Sequence, residues 1–220
     1  MKLLTLSNVS YCYPKTDKKV LNNINAEFEV GKMYAIMGKS GAGKTTLLSL
    51  ISGLDICRDG TVLFNGQDIK SINRDRYRAQ SIGVVFQSYN LLTNATAVEN
   101  IVLSMNISRD TTGDKTSAAY ALLEKVGINL ETAKRKILKL SGGEQQRVSI
   151  ARAISHNPDI VIADEPTGNL DDDTENSIMG IFSKIAKQDN KCVIIVTHSK
   201  KVAGYADTVF NISNNGLIPG

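Results

Sequence analysis

Short runs of consecutive apolar residues recur along the chain and frame what lies between them. Met33-Tyr34-Ala35-Ile36-Met37 and the stretches Ser81–Phe86, Asp159–Ala163 and Cys192–Val196 show little polar alternation. Each has the length of a strand, and a strand without alternation is buried on both faces. Residues 2–13 and 20–30 alternate well enough to predict strands, with a loop around Pro14-Lys15-Thr16-Asp17. Asp59 to Gly66 predicts a turn, a short strand and a second turn, Asn65-Gly66 being a strong hairpin signal. Helical periodicity begins at Thr46-Leu47-Leu48-Ser49-Leu50-Ile51. It dominates from about residue 95 to 155, in Ala118–Val126 and Gly143–Ile154, and returns over Asp173–Gln188. Thr208 to Ile212 predicts a last short strand. Buried strands separated by helices predict an α/β fold with a parallel sheet covered on both faces, and the middle stretch predicts a helical subdomain set into that body. No internal repeat or low-complexity segment interrupts this plan.

Composition narrows the classes. At 220 residues, 42% hydrophobic and 22% charged, the chain has the make-up of an ordinary globular protein with a substantial core. The net charge of +4 comes without a long basic run, so no nucleic-acid partner is expected. Cys12, Cys57 and Cys192 match neither a disulfide framework nor a metal-ligand spacing and are expected as reduced thiols in a cytoplasm. The first residues turn polar too soon for a signal peptide, and no apolar run reaches the roughly eighteen residues of a membrane span. A membrane role would need another chain to supply the membrane part.

The chemistry centres on Gly38-Lys39-Ser40-Gly41-Ala42-Gly43-Lys44-Thr45, which fits G-x-x-x-x-G-K-[ST] between a buried strand and a helix. Gly38, Gly41 and Gly43 let the backbone turn its N–H groups onto phosphate oxygens, and the helix N-terminus adds partial positive charge there. Lys44 can reach the β- and γ-phosphates, and the Thr45 hydroxyl can ligate Mg²⁺. Chance alone would produce the pattern in about one chain in a hundred of this length, before strand and helix are required. Ile160-Val161-Ile162-Ala163-Asp164-Glu165 adds an apolar strand ending in two carboxylates, the Walker B arrangement. Asp164 would hold Mg²⁺ directly or through its water, and Glu165 would orient or deprotonate the attacking water. Leu140-Ser141-Gly142-Gly143-Glu144-Gln145-Gln146 then opens a helix with Ser141 as N-cap, a second anion-binding terminus apart from the first.

That last stretch resembles the signature motif of the ATP-binding cassette (ABC) ATPases, matching it throughout residues 140–146. With it, in the family's order, stand a P-loop at 38–45, a Q-loop glutamine at Gln87, Walker B at 160–164, Glu165, a D-loop at Asn169-Leu170-Asp171 and a switch histidine at His198. The resemblance covers essentially the whole chain. It implies a P-loop NTPase (RecA-like) core with a mostly parallel sheet, an N-terminal antiparallel β-subdomain and an inserted α-helical subdomain. In residue ranges, it implies a core over 1–87 and 157–220 and a helical subdomain over 88–156. Val85 to Leu92 and Ala163 to Asp171 are further similar to the macrolide-export, lipoprotein-release and antimicrobial-peptide-resistance branch, whose partners are permeases with few transmembrane helices.

Site roles follow from the resemblance. ATP and Mg²⁺ are the implied ligands. Nucleotide contacts fall on Gly38, Ser40, Gly41, Gly43, Lys44, Thr45 and Thr46, and metal contacts on Thr45, Gln87 and Asp164. Two copies would pair head to tail, so that Ser141, Gly142 and Gly143 meet the γ-phosphate held at the partner's Lys44. Asp171 would tie the halves together, Gln87 would connect the site to the helical subdomain, and His198 would hold the catalytic geometry with Glu165. Tyr11 and Tyr13 both offer an aromatic ring for adenine; spacing does not choose between them, since residues two apart share a strand face, while position relative to the P-loop favours Tyr13. His156 fits no motif and is expected at the surface. Lys39 stands where the family often has proline or arginine, and Ser199 where an aspartate is common after the histidine. The end soon after Asn215-Gly216 is expected to leave no room for a C-terminal regulatory domain. The expected function is an ATPase subunit at the cytoplasmic face of the cell membrane, pairing with itself and with a separate permease, and exporting. The competing expectations are a non-transport ABC ATPase of DNA repair or the ribosome, and a small-substrate P-loop kinase, which leaves 140–146 unexplained.

Overall fold

The computed structural model describes residues 2–14, 19–108 and 113–220. Two long strands, β1 (Lys2–Cys12) and β2 (Lys19–Glu29), lead into β3 (Met33–Met37) and α1 (Lys44–Ile51). A hairpin of β4 (Asp59–Phe64) and β5 (Gln67–Asp68) follows, then α2 (Arg74–Ser81) and β6 (Ile82–Phe86). Helices α3 (Ala97–Ile107), α4 (Lys115–Lys125) and α5 (Leu130–Ala133) lead through a 3-10 turn at Ile137–Lys139 to α6 (Gly142–Ile154). The chain closes with β7 (Ile160–Asp164), α7 (Asp172–Lys187), β8 (Cys192–Thr197), α8 (Lys200–Ala203), β9 (Thr208–Ser213) and β10 (Gly216–Pro219). The loop expected around Pro14–Asp17 lies, beyond Pro14, outside the described residues, as do residues 109–112 of the helical stretch.

The strands form a four-stranded antiparallel sheet in the order β2-β1-β4-β5 and a six-stranded sheet in the order β10-β9-β3-β8-β7-β6. In the second sheet β9, β3, β8, β7 and β6 run parallel, and only β10 is antiparallel. The absence of alternation in the sequence has a simple cause. Ile160, Ile162, Cys192, Ile194 and Val196 point into a core shared with α1 and the antiparallel sheet, while Val161, Ala163, Val193 and Ile195 point into one shared with α3, α4, α6 and α7. Both faces of these strands are dry, so both must be apolar. Asn65 and Gly66 take φ of 49° and 79° between β4 and β5, the doubly left-handed turn their dipeptide favours.

Some elements were not legible from periodicity. Helix α2 buries only Tyr77, whose hydroxyl donates to the Ile51 carbonyl at 2.9 Å, so it carries no apolar repeat. Its start is set instead by Asn73, whose side chain accepts the Arg76 N–H. Strand β10 is a partly exposed edge built by hairpin return on β9. His156 corrects the expectation of a surface residue: it is half-buried, with Nε2 3.1 Å from the Ile82 carbonyl oxygen.

Strand β6 is seated against the end of α6 by a close approach at Gly83, where a Cβ would stand 2.3 Å from the Ala153 carbonyl oxygen. Gly83→Ala should therefore lower stability by about 1–3 kcal/mol through backbone displacement. Thermal unfolding should register this as a fall of several degrees, and an unchanged midpoint would contradict the packing described.

Candidate functional site

The register of the parallel sheet brings several strand ends to one edge. Phe86 of β6 lies opposite Asp164 of β7, Asp164 opposite Val196 of β8, and Thr197 of β8 opposite Met37 of β3. The residues just beyond those ends are therefore neighbours: the loop 38–45 after β3, Gln87 after β6, Glu165 after β7 and His198 after β8. Together they border a cleft of about 730 Å³, lined by Tyr13, Lys19, Val20, Ser40, Gly41, Gly43, Lys44, Thr45, Thr46, Gln87, Asp164, Glu165, His198 and Asn215.

The floor is the glycine loop. Gly41 and Gly43 take φ of 75° and 100°, which other residues adopt only under strain, and Gly43 precedes α1 without any side-chain cap. The N–H groups opening α1 are thus left to a ligand, in the geometry that binds phosphate. Lys44 folds over the loop and donates to the carbonyls of Gly38 at 2.8 Å and Lys39 at 3.1 Å. Gly38 belongs to the turn itself rather than to the cleft wall.

On the opposite side, burial raises the pKa of the Asp164 carboxyl, the neighbouring Glu165 raises it further, and Lys44 opposes both. Glu165 takes φ of 46°, and its N–H donates to the Val196 carbonyl at 2.9 Å. Apart from Tyr89, it is the one non-glycine residue other than asparagine with a positive φ among the described residues. Such a conformation persists only where surroundings impose it. Here it turns the carboxylate toward His198, whose Nδ1 is 2.9 Å from Glu165 Oε1. Gln87 lies over Gly168, where a Cβ would be 2.9 Å from Gln87 Nε2.

Tyr13 and Tyr11 part company in space. Strand β1 ends at Cys12, so the shared-face rule stops short of residue 13. Tyr11 is buried at 7% exposure, whereas Tyr13 is 49% exposed, faces the cleft and lies with its hydroxyl 2.8 Å from Thr46 Oγ1. Their rings meet edge to face at 5.3 Å, so the buried one buttresses the exposed one.

Ser141, Gly142, Gly143 and Asp171 do not join this cleft. They border a separate depression with Glu144, Arg147, Asn169, Leu170 and Thr174. Ser141 caps α6 in a reciprocal box: Glu144 N–H donates to Ser141 Oγ at 3.3 Å, and Ser141 N–H to Glu144 Oε2 at 2.8 Å. Asp171 caps α7, accepting the Thr174 N–H and hydroxyl, both at 2.9 Å, and these bonds lower its pKa.

Lys19, Val20 and Asn215 are cleft residues that no motif announced. Asn215 Nδ2 donates to the Lys19 carbonyl at 2.8 Å, a contact between opposite ends of the chain that no local pattern encodes. Ser199, standing in place of an aspartate, caps α8 through the Val202 N–H at 3.2 Å. Lys201 then pairs with Asp172 and Glu175 of α7.

A glycine phosphate loop, a carboxylate-ended strand and a histidine on one parallel-sheet edge define a P-loop nucleotide-hydrolysing domain. Residues 21–168 match the family described as ABC transporter, and the chain belongs to that family. It is 44% identical over 217 residues to the uncharacterized ABC transporter ATP-binding protein YclH of Bacillus subtilis, covering 99% of this chain and 96% of that one. It is 38% identical over 221 residues to the lipoprotein-releasing system ATP-binding protein LolD of Francisella tularensis, covering 98% and 95%. Among solved structures, the dimeric post-hydrolysis state of the ATP-binding cassette MJ0796 bound to ADP and Pi superposes with a TM-score of 0.87. It is 33% identical, over 98% of this chain and 96% of that one. The chain is an ATP-binding, ATP-hydrolysing transporter subunit of this family.

The second depression offers a direct check of its packing. A Cβ on Gly143 would stand 2.7 Å from Thr174 Cγ2. Gly143→Ala should lower stability by about 1–3 kcal/mol. Adding Thr174→Ser, which deletes that methyl and keeps the hydroxyl bonded to Asp171, should restore most of the lost melting temperature. Absence of rescue would place the clash elsewhere.

Proposed function

We propose that this chain is the motor of an exporter: two copies pair head to tail around ATP at the cytoplasmic face of a membrane and drive a separate permease. The observation that carries the proposal is the division of one chain into two helix N-termini in separate depressions, one beside Asp164 and Glu165 and one apart from them. A phosphate seated at Lys44 leaves Ser141–Gly143 unused unless a second copy supplies the other half. The dimeric cassette described above supports pairing, and the relatives named for lipoprotein release support export. Among the described residues no helix is long and apolar enough to cross a membrane, which agrees with a separate permease. We divide the chain accordingly into a core over 1–87 and 157–220 and a helical subdomain over 88–156.

Within the pair, Lys44, Ser40, Thr46 and the N–H groups of Gly41 and Gly43 hold the phosphates, with Gly38 shaping the turn, while Tyr13 stacks on adenine. The half-buried Asp164 carboxylate, the Thr45 hydroxyl and the Gln87 amide present hard oxygen donors to one cleft, a set that suits Mg²⁺. When bound there, Mg²⁺ supplies charge neutralisation for the phosphates. Glu165 takes the proton of the water that attacks the γ-phosphorus, and ADP leaves as the bridging P–O bond breaks. His198 holds that carboxylate, and Ser141, Gly142 and Gly143 of the second copy stabilise charge on the γ-phosphate. Asp171 sits beside them at the same interface.

Glu165→Gln should still bind ATP, slow turnover by about a hundredfold or more, and accumulate as an ATP-bound dimer on gel filtration. Monomers throughout, together with near-normal turnover, would refute the assignment. Ser141→Arg should abolish turnover yet leave ATP binding by the single chain within about twofold, as expected of a residue that acts on the partner's nucleotide. Loss of that binding would show that α6 serves its own chain's cleft.

A further inference from the structure

We infer that Asn215, in the turn between β9 and β10, reads the base of the bound nucleotide: its side-chain oxygen accepts from the exocyclic amino group of adenine and disfavours a base with an oxygen in that place. This rests on the reading of the P-loop cleft as an ATP site with Tyr13 on the base. The lining residues with no phosphate, metal or catalytic part are Tyr13, Lys19, Val20 and Asn215. Tyr13 offers a ring face, which stacks on any base and so does not choose between bases. Val20 offers an apolar side chain lying against the P-loop, where a Cβ on Gly43 would stand 3.2 Å from Val20 Cγ1. The Lys19 ammonium donates to Asn22 Oδ1 at 3.1 Å. Selection between bases falls to Asn215.

The fold places that side chain closely. Strand β9 runs parallel to β3 with Asn211 opposite Met37 and continues to Ser213, so the turn stands past the edge where the P-loop leaves the sheet. Ser213 pairs with Gly216 across a two-residue turn in which Asn214 and Asn215 take φ of 48° and 64°, a conformation that asparagine tolerates. The turn is tied to the start of β2: the Asn22 N–H donates to the Asn215 carbonyl at 2.8 Å, and Asn215 Nδ2 donates to the Lys19 carbonyl at 2.8 Å. A carbonyl can only accept, so the amide nitrogen must face Lys19, and the amide oxygen is the atom left for a ligand. Adenine presents an N–H donor on its edge where guanine and hypoxanthine present an oxygen acceptor. An acceptor set against an acceptor loses the bond, so an edge read by Asn215 favours adenine. Asn215 is exposed, so the bond competes with water and the preference is moderate rather than absolute.

The test titrates ADP and IDP, whose bases differ in an amino group against an oxygen and which carry no γ-phosphate to hydrolyse. The native chain should bind ADP about five- to tenfold more tightly than IDP. Glycine keeps the left-handed turn without strain, so Asn215→Gly removes the amide alone. In that variant ADP affinity should fall about five- to tenfold, while IDP affinity stays within about twofold and reports an intact cleft. Tyr13→Ala should weaken both diphosphates by a similar factor, since the ring stacks on either base. Equal affinity of the native chain for ADP and IDP would overturn the inference, as would a preference for ADP that survives in Asn215→Gly. Equal weakening of both ligands in Asn215→Gly would overturn it as well, because Asn215 would then only hold the cleft wall. Each of those results leaves the cleft a nucleotide site. If neither diphosphate binds, or if Tyr13→Ala leaves both affinities unmoved, the reading of the cleft itself fails and the base reader falls with it.

Discussion

The register of four parallel strands is the constraint on which the site depends. Backbone hydrogen bonds fix β6, β7, β8 and β3 side by side, roughly 4.8 Å apart, and align Phe86, Asp164, Val196 and Met37 near one edge. Lys44, Gln87, Asp164, Glu165 and His198 sit at the strand ends or in the segments leaving that edge, so no long lever is needed to bring them together. Slippage of β7 by one residue would also turn that strand over, exchanging Ile160 and Ile162 with Val161 and Ala163 between the two cores. The dry packing on both faces is thus what holds the chemistry in place.

The edge gathers opposing demands. Lys44 and the uncapped N-terminus of α1 attract anions, while Asp164 and Glu165 place two carboxylates across the same cleft. Burial and mutual repulsion push the Asp164 proton affinity upward, so its ionised form is favoured by a cation beside it. Glu165 is held in a left-handed backbone conformation by its bond to Val196 and aimed at His198. The Tyr89 turn shows the same pattern, strain maintained by hydrogen bonds to a neighbouring helix. In both places the strained residue stands immediately before or after a segment that must be placed accurately.

What belonged to short sequence windows was legible in advance: the glycine loop, the carboxylates closing an apolar run, Ser141 as a helix cap, Asn65-Gly66 as a hairpin. These depend on interactions within a few residues, and dihedral preference, capping and burial are written locally. Helix α2 escaped because its only buried side chain, Tyr77, sets no period, and β10 because its pairing comes from hairpin return rather than from its composition. His156 was misplaced because its partner, the Ile82 carbonyl, lies on a strand far away in sequence. Lys19 and Asn215 joined the cleft through a contact between the two ends of the chain.

The sequence by itself thus determined that a glycine loop with Lys44, the Asp164 and Glu165 carboxylates and the Ser141 cap stand at strand ends and helix starts. Tertiary structure alone decided how they are grouped. Lys44, Asp164, Glu165 and His198 share one cleft, and Ser141, Gly143 and Asp171 share another. It also decided that Tyr13 rather than Tyr11 faces solvent, because β1 ends one residue earlier. The physical reason is range: local chemistry is encoded by neighbours in the chain, whereas grouping is set by sheet register and helix docking, which sum many weak contacts among residues distant in sequence.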